Sequence, residues 1–181
     1  SNLKDQTIFF FFIQLRTPGQ TVTVLHNHPE TAALSRPDVS LLAFPGAGFV
    51  GAISHNGKVS AAALGSSVKI PTNNDEFDAL SRWLSASYEA VSSAFARTEP
   101  DIYKRQELVM RTLGASGLLE YHTNHAINGD MVPAVNQAAI LARRALTNAN
   151  ILTDRAGVGV LHRPTFYVSP ADTLAAISKR T

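Results

Sequence analysis

The sequence predicts an α/β chain of the α+β kind: a mixed sheet with flanking helices, followed by a mainly helical C-terminal region. Three observations carry that expectation. Between residues 7 and 65, apolar and β-branched residues come in short runs and alternations separated by turn residues, the pattern of strands. From residue 74 onward the apolar residues recur at spacings of three and four, the period of a helix with one buried stripe. The 181 residues, 45% apolar and 17% charged, suffice for a core of the size that hides about 70% of the unfolded surface.

Each element follows from its residues. Ile8–Leu15, with four consecutive Phe, reads as a buried strand. Thr17-Pro18-Gly19-Gln20 is a turn signal, since Pro presets the backbone and Gly permits positive φ. Thr21–His26 alternates Thr and Val as a second strand, able to pair with the first as a hairpin. Ser35–Phe44 reads as a short helix stopped by Pro45-Gly46. Phe49–Ser54 and Lys58–Leu64 flank His55-Asn56-Gly57, and Asn-Gly is a strong hairpin signal. Ser66–Asn74 is a polar connector. Phe77, Leu80, Trp83, Leu84, Tyr88, Val91 and Phe95 then form one apolar stripe of a long helix, which Asn74 or Asp75 would cap. Pro100–Leu113 gives a second helix and Met131–Asn148 a third, with Gly114 and Gly117 between them as breakers. Val158–His162 and Phe166–Ser169 read as short late strands, and Ala171–Lys179 as a closing helix. The division expected is a core at residues 1–66 and a helical extension at 67–181 packed on it.

Composition narrows the chemistry. Lys+Arg number 16 against 14 Asp+Glu, a net charge of +2 with no basic cluster, so nucleic-acid binding is not expected. There is no cysteine, which excludes thiolate catalysis and Cys-ligated zinc and leaves His, Asp and Glu as metal ligands. The longest apolar run, Ile8–Ile13, is far short of the roughly 20 residues of a membrane span and lacks a signal-peptide flank. A cytoplasmic protein without a membrane partner is the expectation.

One segment carries a chemical pattern: His26-Asn27-His28-Pro29, then Ser35-Arg36-Pro37-Asp38. Residues two apart on a strand share a face, so both imidazoles point one way, and Pro29 ends the strand. The following loop is long enough to return Asp38 toward them. Two imidazoles and a carboxylate are three ligands for Zn²⁺ with a fourth position open, the arrangement of a catalytic site. Ser35 with Asp38 is equally a capping-box variant at a helix start, and the two roles are compatible.

This His-x-His-Pro followed by Ser-x-x-Asp resembles the JAMM motif of JAB/MPN-type metalloproteases, in the His-Asn-His-Pro form of bacterial, phage-encoded and toxin-associated members. The resemblance covers roughly Ile8–Leu64. It implies a JAB-like mixed sheet with flanking helices, zinc on His26, His28 and Asp38, and Ser35 helping to hold water and oxyanion. The implied activity is hydrolysis of a peptide or isopeptide bond in a protein or peptide substrate. Two features depart from the family. The gap from His28 to Ser35 is one residue shorter than in eukaryotic members. The family also places a Glu upstream of the histidines as general base, whereas Asp5 is the only acidic residue before His26 here. A JAB-like binding or assembly module without the base is therefore the alternative reading.

Other candidates are weaker. Glu120, His122 and His125 form a second polar cluster. His122 and His125, three apart, would share a face on a helix, and Glu120 is a carboxylate the helical region can bring to the site. His55 reads as an exposed turn residue. Gly46-x-Gly48-x-x-Gly51 matches dinucleotide-loop spacing but precedes a strand, the wrong context for a phosphate cradle.

Overall fold

The Thr-Val alternation after residue 21 makes Val22–His28 the strand β1. A computed structural model of the chain describes residues 22–28 and 32–153. The strand expected at Ile8–Leu15 and the elements expected beyond residue 157 lie outside the described residues. Arg36–Ser40 is a one-turn helix, α1, continued by a 3₁₀ turn at Leu41–Ala43. Ala47–Ser54 and Val59–Leu64 are β2 and β3. Asn74–Phe95 is α2, Ile102–Ser116 is α3, Leu119–Thr123 is β4 and Val132–Asn148 is α4.

The strands form one mixed sheet in the order β1-β2-β3-β4. β1 and β2 are parallel, joined through α1, while β2–β3 and β3–β4 are antiparallel. The fold is α+β, as the sequence predicts. The β2–β3 hairpin closes where Asn56-Gly57 predicts it, with Gly57 at φ 76°. Asn73, one residue earlier than expected, caps α2 by accepting the Glu76 amide at 3.0 Å. The α2 stripe buries Leu80, Leu84, Tyr88, Val91 and Phe95, with Phe77 and Trp83 half-buried at its margin.

β4 is the departure. Leu119–Thr123 lies in the stretch expected to connect helices, yet its side chains alternate and pair with β3 from Leu64↔Leu119 to Ser60↔Thr123. Leu119, Tyr121 and Thr123 turn inward while Glu120 and His122 sit half-buried on the opposite face. A single apolar core runs from Leu34, Val39 and Leu42 through Val50 and Ala62 to Leu84, Val109, Leu113, Leu118 and Leu146. It therefore spans both sides of residue 66.

Candidate metal centre

His26 and His28 lie on one face of β1, with Leu25 and Asn27 exposed on the other. The parallel register sets His26 beside Ala52 and His28 beside Ser54, so small side chains on β2 leave room above it for the two rings. Asp38 is brought opposite them by α1. Ser35 is the helix N-cap with an extended backbone (φ −86°, ψ 171°), and Pro37 occupies the first turn, where its missing N–H costs nothing. Asp38 is the third helical residue. Its Oδ2 accepts the Ser35 amide at 2.7 Å and the Ser35 hydroxyl at 2.6 Å. The amide contact is the reciprocal half of a capping box.

The donor atoms converge. His26 Nε2 is 2.9 Å from His28 Nε2, His26 Nε2 is 3.1 Å from Asp38 Oδ1, and His28 Nε2 is 3.3 Å from Asp38 Oδ2. With metal–ligand bonds near 2.0–2.1 Å, two donors on a tetrahedral zinc stand about 3.3 Å apart. Three donors at these separations are the edges of such a polyhedron, and the chemistry of the set fits a divalent ion. The group can hold a metal ion. The His28 side chain keeps 11% of its surface and that of His26 28%, so the centre is more exposed on the His26 side.

Supporting contacts orient the ligands. His28 Nδ1 lies 3.2 Å from the Ala32 carbonyl. A carbonyl only accepts, so Nδ1 carries a proton, and with a metal bound the ring would be neutral and its Nε2 lone pair aimed at the ion. The same carbonyl accepts the Ser54 hydroxyl at 3.2 Å, and Tyr88 on α2 donates to the Leu34 carbonyl at 3.2 Å. The loop leading into α1 is thus tied to both β2 and α2. Electrostatics follows the geometry. Burial would raise the Asp38 carboxyl, but hydrogen bonds from His26, His28 and Ser35 outweigh it and hold it well below the usual carboxylate range. The Asp38 hydrogen bond raises His28 above the ordinary histidine value, against the opposing effect of burial.

A second polar network lies on the same face, further along the sheet. Glu107 on α3 accepts Arg111 Nε at 2.6 Å and the Tyr121 hydroxyl at 2.7 Å, and Tyr121 reaches Ser60 Oγ at 3.3 Å. Arg111 also donates to the His125 carbonyl, and the His125 amide donates to Thr123 Oγ1 at 3.0 Å. Burial pushes the Glu107 carboxyl upward, with Arg111, Tyr121 and Thr123 opposing.

All four residues singled out by the motif, His26, His28, Ser35 and Asp38, meet at one place. Glu120 and His122 do not join them, because β4 turns both to the other face. His125, read with His122 as a helical pair, is separated from it by the strand and is buried. His55 is exposed at its turn, as expected. Pro29 lies outside the described residues. Glu107 and Arg111 were not singled out in the sequence. Their spacing of four, inside the otherwise apolar run Leu108-Val109-Met110, is the signal that marks a buried ion pair. No protein-family model, curated protein or solved structure matches this chain.

Proposed function

We propose that the chain is a zinc-dependent metallopeptidase or isopeptidase of the JAMM type, cleaving a peptide or isopeptide bond in a protein or peptide substrate. The observation that carries this reading is the convergence of His26, His28 and Asp38 at separations a tetrahedral ion requires, from residues spaced as in the JAMM motif. Zinc bound there would supply Lewis acidity, lowering the pKa of water toward about 7 and polarising the scissile carbonyl. His26 and His28 would hold the ion, with His28 oriented by its Nδ1 contact to the Ala32 carbonyl. Asp38 contributes a carboxylate already ionised and oriented. Ser35 donates its hydroxyl to Asp38, so its part toward an oxyanion begins when that hydroxyl turns to the substrate.

The second reading, a JAB-like binding or assembly module, is favoured by one specific observation. Residues 1–25 include no Glu, and among the described residues no second carboxylate joins the donor group. Loss of a general base costs a zinc hydrolase about 10²–10⁴-fold. Either way no helix among the described residues is long and apolar enough to cross a membrane. Elemental analysis of purified protein, metal-stripped and then reloaded with zinc, tests the common core of both readings. The expected result is about one zinc per chain, lost in the His26→Ala/His28→Ala double variant. No zinc in either protein overturns the metallopeptidase reading. Zinc binding without hydrolysis of any peptide or isopeptide substrate moves the protein to the module.

A further inference from the structure

Residues 32–34 lead into α1 and belong to no helix or strand, yet all three are buried. Buried backbone outside regular structure needs other partners for its polar groups, and here side chains from two directions supply them. Ser54 on β2 donates its hydroxyl to the Ala32 carbonyl at 3.2 Å, the same oxygen that His28 Nδ1 meets at 3.2 Å. His28 and Ser54 are register partners on adjacent strands, so that oxygen is fixed against the sheet from both. Tyr88, buried on α2, donates to the Leu34 carbonyl at 3.2 Å. The Leu34 carbonyl and the Ser35 N–H belong to one planar peptide unit. Its oxygen accepts from Tyr88, and its N–H donates to Asp38 Oδ2 at 2.7 Å. Tyr88 and Asp38 are thus the two ends of one hydrogen-bond chain with a rigid peptide between them.

We propose that Tyr88 is a positioning residue of the metal centre, acting on Asp38 through the Leu34–Ser35 peptide, with Ser54 in the same part toward His28 through the Ala32 carbonyl. The inference rests on the metal reading of His26, His28 and Asp38. Neither hydroxyl belongs to the donor group, so each acts through another residue. Donation from Tyr88 polarises the peptide and strengthens the bond that its N–H makes to the carboxylate. It also fixes the plane of that peptide, and with it the direction from which Asp38 Oδ2 is held. Asp38 Oδ1 then stays toward His26 Nε2, 3.1 Å away. The carboxylate and the two rings sit on separate elements, α1 and β1, so their spacing depends on the segment these two hydroxyls grip.

The test uses the metal alone. Metal-free wild-type protein, Tyr88→Phe, Ser54→Ala and Ser60→Ala are titrated with Zn²⁺ against a chromophoric chelator, and with Co²⁺ followed by visible absorption. Circular dichroism checks that each variant is folded. Tyr88→Phe keeps the ring and removes only the hydroxyl. Ser60 is the control, a buried serine on β3 whose hydroxyl meets Tyr121 and not the segment. Zinc should bind about tenfold more weakly to Tyr88→Phe and to Ser54→Ala, the low end of what loss of a supporting contact costs. The cobalt bands should shift in both, because the ligand geometry changes. Ser60→Ala should stay within about twofold of wild type, as an independent site does. Unchanged zinc affinity and cobalt bands in folded Tyr88→Phe overturn the proposal and leave the metal centre standing. Equal weakening in Ser60→Ala also overturns it, by making the effect a general loosening of the fold. Should Tyr88→Phe not fold, Ser54→Ala decides by the same two readings. Wild-type protein that takes up neither ion overturns the metal reading and this inference together.

Discussion

Asp38 shows how much one residue does at this centre. It receives the Ser35 amide and hydroxyl and faces both histidine rings, so it is at once the helix cap's partner and the third candidate metal donor. Asn at this position keeps the shape, removes the charge and turns one acceptor oxygen into a donor. Asp38→Asn should lower the metal-free protein's stability by about 1–3 kcal/mol, the cost of breaking hydrogen bonds to a charged group. It should reduce zinc affinity by more than the ~10–100-fold that loss of a supporting contact costs. Urea unfolding and zinc competition titration read the two effects separately. Stability unchanged in the variant would mean that the Ser35 and histidine contacts contribute nothing net. The metal donors were legible because alternation on a strand and capping at a helix start are local rules. Their mutual distances were not, since they depend on how α1 packs between β1 and β2.

At the scale of elements, the junction between β3 and α3 is the least forgiving place. Gly65 ends β3 and donates its amide to the Leu118 carbonyl at 2.9 Å. A Cβ there would lie 2.0 Å from the Gly117 backbone oxygen, and Gly117 itself closes α3 in the left-handed region at φ 85°. Backbone meets backbone, with no flexible side chain to move aside. Gly65→Ala should therefore destabilise by about 3 kcal/mol or more, through displacement of β4 from β3. Thermal unfolding measures it, and a midpoint equal to wild type would show that the junction relaxes freely. This junction also explains what the sequence left hidden. Asn56-Gly57 announces its hairpin and the α2 stripe its helix, because each signal is complete within its own segment. The five residues of β4 are too few for a period to declare itself, and their polar members Glu120 and His122 mask the alternation. Pairing with β3, 55 or more positions earlier, makes them a strand. Once β4 is a strand, His122 and Glu120 turn outward while His125 remains inside, so the inward side of the second cluster followed from tertiary pairing alone.

For the molecule as a whole, acid and metal act on the same inward face in opposite directions. Burial, with the charges of Lys58, Arg111 and His28, lowers His125 to about 4, so the folded state resists a proton that the unfolded chain takes up near pH 6.5. The unfolded state then binds more protons between those values, and this group's contribution to stability is lost as pH falls through the window. Asp38, also depressed, adds its loss at lower pH, below its unfolded value near 3.9. His28 and Glu107 have the opposite sign: their folded values are raised, so their contributions are present at low pH and lost as pH rises. The difference between variants isolates the first group. In metal-free protein the stability lost from pH 7 to pH 4.5 should be smaller in His125→Phe than in wild type, by urea midpoints. Equal losses would show that His125 does not titrate in the buried state. Zinc held at this group would work against acid by joining β1 to α1. β1 hydrogen-bonds only to β2 among the described strands, and an ion shared by His26, His28 and Asp38 ties that edge to the body of the fold. At free zinc of about 100 times Kd, binding to the folded state alone adds about 2.7 kcal/mol. For a chain of this size that is a rise in Tm of roughly 5–10 °C, reversed by chelation and absent in Asp38→Asn. A rise of equal size in Asp38→Asn would place the ion elsewhere, and with it the chemistry proposed for this face.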